Sequence, residues 1–311
     1  MSLTTSISGR APKRGSLARR EEIDGWLLAS PWLIGFVIFT AGPMLASFVL
    51  AFTQYDALTP PIWTGLANLK KALITDPLVL HSLKITTIYA ITSIPLRIAI
   101  GLFLAMLLNT KIRGLSLYRT IFYLPAVVSG VAVALLWQWL YNPDFGPLNY
   151  LLSLVGINGP AWLLDPHWAL ASLVIMSLWS VGQGIVIYLA GLQGISTELY
   201  EAAEVDGATW WSRTRFITIP MMTPVIFFEL IIGMINALQV FTEAYVMTQG
   251  GPGDATRFFM LYLYQNGFQF YKMGYASTLA WILFVYILVL SILVVRSSGS
   301  WVHYEGGMRG R

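Results

Sequence analysis

The sequence predicts an all-α integral membrane protein with six transmembrane helices. Hydrophobic residues make up 56% of the 311 residues and charged residues only 11%. The mean hydropathy is +0.66. A soluble domain carries about 25% charged residues, so this chain has too few charges to coat a water-facing surface. The apolar residues also fall in six blocks, each near the roughly 20 residues that cross a bilayer as a helix. No block alternates with period two, which argues against a membrane β-barrel.

Polar, basic residues fill positions 1–25, with Arg10, Lys13, Arg14, Arg19 and Arg20 among Gly and Ser. A solvated tail is expected there. It is not read as a signal peptide, because the apolar block that follows is too long and ends in no small-residue cleavage site. The predicted spans are Trp26–Phe52, Leu83–Leu108, Thr120–Tyr141, Trp168–Leu192, Thr223–Tyr245 and Tyr275–Val295. Pro31, Pro43, Pro95, Pro125 and Pro224 lie in or near them, and packed neighbours can satisfy the carbonyls a proline frees. Residues 26–295 thus form one transmembrane domain, and 296–311 a second tail.

Six spans put both termini on one side. That side carries the five basic residues of the N-tail, Lys111, Arg113, Arg119, Arg213, Arg215, Arg296, Arg309 and Arg311. The other side carries only Lys70, Lys71, Lys84, Arg257 and Lys272. The positive-inside rule makes the richer side cytoplasmic. The net charge of +4 is therefore read as loop asymmetry rather than as a nucleic-acid surface. The outer connections hold turn signals such as Pro60-Pro61, Asn142-Pro143 and Gly250-Gly251-Pro252-Gly253. Trp63, Trp162, Trp168 and Tyr271 mark segments expected at the membrane surface.

Catalytic chemistry is missing. No lysine follows a glycine, so no phosphate loop for a nucleotide is present. His81, His167 and His303 have no metal-ligand spacing, there is no cysteine, and no catalytic carboxylate pair or nucleophile elbow is found. An enzyme is not expected, nor any cofactor or metal bound by this chain. The run Gly250–Gly253 reads as a tight turn.

The connection 193–222 stands apart. Ser196 or Thr197 can cap a helix whose first turns carry Glu198, Glu201 and Glu204, as the helix dipole favours. Gly207 can close that helix in a left-handed turn. A second short helix, Trp210–Ile219, is expected to end at Pro220. An interfacial helix lying on lipid is the alternative, but its acidic first half opposes an anionic leaflet.

Here the chain resembles the membrane-spanning permease subunits of ATP-binding-cassette importers. Their signature, E-A-A, three residues, G, nine residues, I-x-L-P, falls on Glu201-Ala202-Ala203, Gly207 and Ile217-Thr218-Ile219-Pro220. Only Ile219 departs from it, and it stays apolar. The Asp206-Gly207-Ala208 that follows is similar to the carbohydrate-uptake branch. The segments SPWLIGFVIFTAGPM from Ser30, FYLPAVVSGVAVALLWQWLYNPDFGPLN from Phe122, YVMTQGGPGDAT from Tyr245 and WVHYEG from Trp301 resemble sugar permeases of the maltose and glycerol-phosphate type.

The resemblance implies the type I importer permease fold, with a cytoplasmic coupling-helix pair. It implies four kinds of partner: a second, homologous permease, two copies of an ATPase that uses ATP and Mg, an extracellular or periplasmic solute-binding protein, and a sugar cargo. It places the chain in a bacterial or archaeal cytoplasmic membrane. Glu201, Ala202, Ala203, Asp206, Gly207, Ile217 and Pro220 would then couple to the ATPase.

Polar residues inside spans are few and usually face a bundle interior or a pathway. Glu229, Gly233, Asn236, Val240 and Glu243 recur at helical spacing on one face, with Gln239 beside it. This stripe lines a pathway or forms a polar seam to the second permease. Gln183 and Trp179 could offer an amide and an aromatic face to a sugar, or simply pack. Arg97, mid-span beside Pro95, is expected to pair with a glutamate. The absence of a Lys/Arg cluster in the fifth block favours a neutral cargo. A stand-alone secondary transporter would instead predict paired internal repeats with broken helices, and no repeat is evident.

Overall fold

A computed structural model describes residues 16–110 and 114–303. Arg10, Lys13, Arg14, Lys111, Arg113, Arg309 and Arg311 lie outside the described residues. Among the described residues, four helices are long and apolar enough to cross a membrane, or up to six if each of two bent pairs counts as one span.

Helix α1, Glu21–Leu50, is the first of them. The helical backbone begins earlier than predicted, at Ser16, because Leu17–Glu22 consists of strong helix formers. The backbone widens into a π turn at Val37–Ala41, just before Pro43. Such a turn lets a helix pass a residue that has no N–H to donate. A two-residue hairpin follows, β1 Thr53–Gln54 antiparallel to β2 Ile62–Trp63. Helix α2, Ala67–Lys70, leads through a further π turn to Asp76.

Helix α3, Pro77–Leu108, is the hub. Asp76 caps it by accepting from the Leu78 N–H at 3.1 Å, and also accepts from the hydroxyls of Tyr262 and Tyr275. Burial pushes the Asp76 carboxyl up, but these three donors and nearby Lys71 outweigh it and hold it below the usual aspartate range. The remaining helices are α4 Leu115–Val127, α5 Gly130–Leu140, α6 Pro147–Leu154, α7 Pro166–Ser177, α8 Gly182–Gly194, α9 Thr197–Val205, α10 Trp210–Leu238, α11 Phe259–Tyr264 and α12 Met273–Trp301.

Helix α3 packs against α7, α8, α10 and α11. Its approach to α8 is close, since a β-carbon at Gly101 would sit 2.8 Å from the Tyr188 ring. Two apolar clusters result. One gathers Tyr89, Tyr141, Phe258, Phe259 and Leu279, the other Leu102, Ile185, Tyr188 and Met222.

Three predicted spans are interrupted among the described residues. The block 120–141 is interrupted at Val128-Ser129, where Val127-Val128-Ser129-Gly130 is a run of weak helix formers. The block 168–192 bends by 49° through a 3₁₀ turn at Leu178–Ser180. Gly182 then seats the start of α8 on α4, where a β-carbon would lie 2.2 Å from the Phe122 carbonyl oxygen. The block 223–245 stops being one helix at Leu238, and a short π-helical segment, Ala244–Thr248, resumes after it. The sixth helix runs past the predicted Val295 to Trp301, with Ser297, Ser298 and Ser300 bonding back to carbonyls three residues earlier.

Candidate functional site

Two features stand out, an exposed helical turn at one end of the bundle and a polar cavity at its middle. The turn is built by α9 and the start of α10. Ser196 accepts from the Glu198 N–H at 3.3 Å and opens α9. The helix closes with two bonds, Ala208 N–H to Ala203 O at 2.8 Å and Gly207 N–H to Glu204 O at 3.0 Å. This is the Schellman arrangement, and it requires the left-handed residue that Gly207 supplies at φ +74°. Thr209 then accepts from the Ser212 N–H at 3.3 Å and caps α10.

The unit is braced twice more. The hydroxyls of Tyr200 and Thr218 lie 3.0 Å apart, and Arg213 donates to Glu204 at 3.4 Å. Glu201, Ala202, Asp206 and Gly207 are exposed and Ala203 half-buried. Val205 beside them is 89% exposed, and Trp210 and Trp211 are also exposed. Ile217 and Pro220 stand elsewhere. Ile217 packs on the apolar cluster around Met222, so it anchors the unit rather than lining its outer face.

The predicted end at Pro220 is corrected. Helix α10 passes through a π turn at Thr214–Thr218 and runs on to Leu238. The wider turn accommodates Pro220, which would otherwise clash with the preceding turn. One continuous helix therefore joins the exposed turn to the middle of the bundle.

The cavity lies there, between α3, α8 and α10, with a volume of about 230 Å³. Its walls come from both apolar clusters, but Arg97, Gln183, Glu229 and Asn236 all face it. Gly184 and Gly233 line it too. A β-carbon at Gly184 would lie 3.3 Å from the Glu229 carboxylate, so that carboxylate rests against the backbone of α8. Gln183 and Asn236 are exposed, so the cavity opens on the surface of the chain.

The predicted stripe is only half realised. Glu229, Gly233 and Asn236 share the cavity, but Gln239 is the C-terminal cap of α10 and Glu243 belongs to the next segment. Neither lines the cavity. Trp179 does not line the cavity either, and its ring meets that of Trp137 edge-on at 6.1 Å. Arg97 and Glu229 line the same space, yet among the described residues no ion pair joins them. Tyr188 and Gly184 escaped the sequence reading, since nothing in their spacing separates them from ordinary packing residues. A half-buried guanidinium, a carboxylate and two amides together offer donors and acceptors to a hydroxyl-rich molecule.

The family described as binding-protein-dependent transport system inner membrane component matches residues 97–299. A probable ABC transporter permease, YesP of Bacillus subtilis, is 42% identical over 97% of this chain and 98% of its own. The lactose transport system permease LacF of Rhizobium radiobacter is 37% identical over 90% of this chain and 95% of its own. Among solved structures, a chain of a bacterial ABC transporter importing the acidic polysaccharide alginate superposes with a TM-score of 0.79 at 26% identity. It covers 91% of this chain and 98% of that one.

Proposed function

The chain belongs to the family of binding-protein-dependent inner membrane transport components, and from that premise we propose that it is a permease subunit of an ATP-driven sugar importer. It is a multi-pass membrane protein of a transporter family rather than an enzyme. In this reading it forms half of the translocation pathway with a second permease, receives its cargo from a solute-binding protein, and borrows ATP and Mg chemistry from two ATPase subunits. Relatives whose names carry lactose or trehalose and maltose support a sugar as cargo.

The observation that carries the reading is the continuity of α10. It starts at the Gly207 turn and presents Glu229, Gly233 and Asn236 to the cavity. From Trp210 to Glu229 is about 28 Å at 1.5 Å per residue. A push on α9 from a closing ATPase dimer would thus reach the cavity through a stiff rod. Glu201 on that outer face suits a basic or amide group of the ATPase, where a carboxylate accepts charge-assisted hydrogen bonds. The cavity's open side, with Gln183 and Asn236, suits completion by the second permease.

The reading is tested by affinity purification of the tagged chain from membranes that express its transport partners. Retention of one ATPase type and one second permease is expected. Recovery of this chain as a self-sufficient assembly would contradict it.

The orientation follows from the charge asymmetry: both termini and α9 cytoplasmic, Asp144 and Gly251 outside. The chain has no cysteine, so single cysteines can be introduced at Arg14, Asp144, Gly251 and Arg309. An impermeant thiol reagent on intact cells is expected to label Asp144→Cys and Gly251→Cys only. Labelling of Arg309→Cys without Asp144→Cys would invert the topology.

A further inference from the structure

At the end of the bundle opposite α9, an apolar groove runs between the last turns of α1 and the first turns of α12. Phe48, Phe52, Leu69, Leu73, Trp281 and Val285 line it, and its volume is about 380 Å³. Directly beyond it, a second cavity of about 550 Å³ is walled by Tyr55, Asp56, Lys71, Tyr271, Lys272 and Tyr275. The same elements continue from one into the other. Thr278 donates to the Ala51 carbonyl at 2.8 Å, and Asn68 donates to the carbonyls of Ala51 and Thr53 at 3.1 and 2.8 Å. These bonds stitch the floor where the two spaces meet.

Length and charge both point to one occupant. From Val285 to Tyr275 is about 15 Å along α12, which is half of a hydrocarbon core about 30 Å thick. The groove and the cavity beyond it together therefore span one leaflet, with Lys71 and Lys272 toward headgroup level. Two cations wait there. The Lys71 ammonium lies 4.4 Å from the centre of the Tyr275 ring, and that of Lys272 lies 5.5 Å from the centre of the Phe270 ring.

Among the described residues neither lysine has an ion pair. Two carboxylates share this end, each already hydrogen-bonded by its own neighbours. Asp56 accepts from the N–H groups of Leu58 and Thr59 and from the Thr59 hydroxyl. Asp76, which faces Lys71, is held by Tyr262 and Tyr275.

We propose that this groove holds an anionic phospholipid, with an acyl chain along α1 and α12 and the phosphate between Lys71 and Lys272. An ammonium group donates charge-assisted hydrogen bonds to a phosphate, and the aromatic walls frame its glycerol backbone.

Trp281 sits in the groove and reports on it. The assembled importer is reconstituted in phosphatidylcholine vesicles doped with brominated phosphatidylglycerol or brominated phosphatidylcholine. The Trp281 signal is the difference between wild type and Trp281→Phe. Half-maximal quenching is expected at a mole fraction at least threefold lower for the phosphatidylglycerol, and Lys71→Gln/Lys272→Gln should abolish that preference. A second readout needs no tryptophan variant: mass spectrometry of the detergent-purified importer should find about one phosphatidylglycerol fewer per chain in the double variant. Equal quenching by the two lipids, or unchanged retention in the double variant, overturns the proposal and assigns the groove to bulk lipid or a protein neighbour.

Discussion

Gly207→Val is expected to lower ATP-driven uptake about tenfold while leaving the chain inserted in the membrane. The cause is backbone conformation alone. A β-carbon at 207 would meet nothing within 4 Å, so space is not at issue. What fails is the left-handed φ of +74°, which costs an L-residue about 1–2 kcal/mol and a β-branched one more. The two bonds that close α9, from Ala208 and Gly207, depend on that conformation. Asparagine tolerates it, so Gly207→Asn should keep most of the uptake. Glu201→Lys leaves the turn intact and reverses the charge on its exposed face. It should therefore reduce ATPase retention and substrate-stimulated hydrolysis without changing insertion. Wild-type stimulation and retention in both Gly207→Val and Glu201→Lys would remove α9 as the coupling element.

Glu229→Ala should abolish most uptake, at least tenfold, while the importer still assembles. The carboxylate lies in the cavity against α8, and Arg97 of α3 lines the same cavity. Its removal leaves a guanidinium at membrane depth without the one opposing charge of that cavity, and an intramembrane charge is expensive. Asn236→Leu takes an amide from the same wall and should act in the same direction, more weakly. Gln239→Leu and Glu243→Gln are expected to be mild by comparison, because both positions lie beyond the end of α10. Uptake in reconstituted vesicles, read beside co-purification of the second permease, separates the two possible roles. Lost co-purification would make the polar residues a seam between subunits, and normal uptake in both Glu229→Ala and Asn236→Leu would exclude them from the pathway.

Much of this was legible in the sequence, for physical reasons. Hydropathy and length are properties of single blocks, so α1, α3 and α12 follow from them directly. The closing turn of α9 is equally local: a cap at Ser196, acidic residues in the first turns and a glycine at 207 state it in one short stretch. The breaks at Val128-Ser129, Leu178–Ser180 and Gln239–Phe241 were not legible, because each block stays apolar on average and a short run of weak helix formers, as at 127–130, does not by itself end a span. Only tertiary packing, such as the approach of Gly182 to the Phe122 carbonyl, decides that the helix stops.

The break after Leu238 is also why the polar stripe was drawn too long. A 3.6-residue period assumes one helix, and Gln239 and Glu243 fall outside it. Pro220 misled in the opposite sense. Proline reads as a stop, but a π turn ahead of it lets α10 continue. The convergence of Arg97, Gln183 and Glu229 joins three helices, and no spacing along one chain segment encodes it.

This chain is expected to move a sugar only when an ATPase drives it. The most direct measurement is uptake of a labelled sugar cargo into vesicles holding this chain, its second permease and the ATPase, with solute-binding protein outside and ATP and Mg inside. Accumulation against a gradient is expected with every component present, falling to background when the ATPase or ATP is left out. Sugar exchange by this chain alone, at a rate unaffected by ATP, would contradict the account.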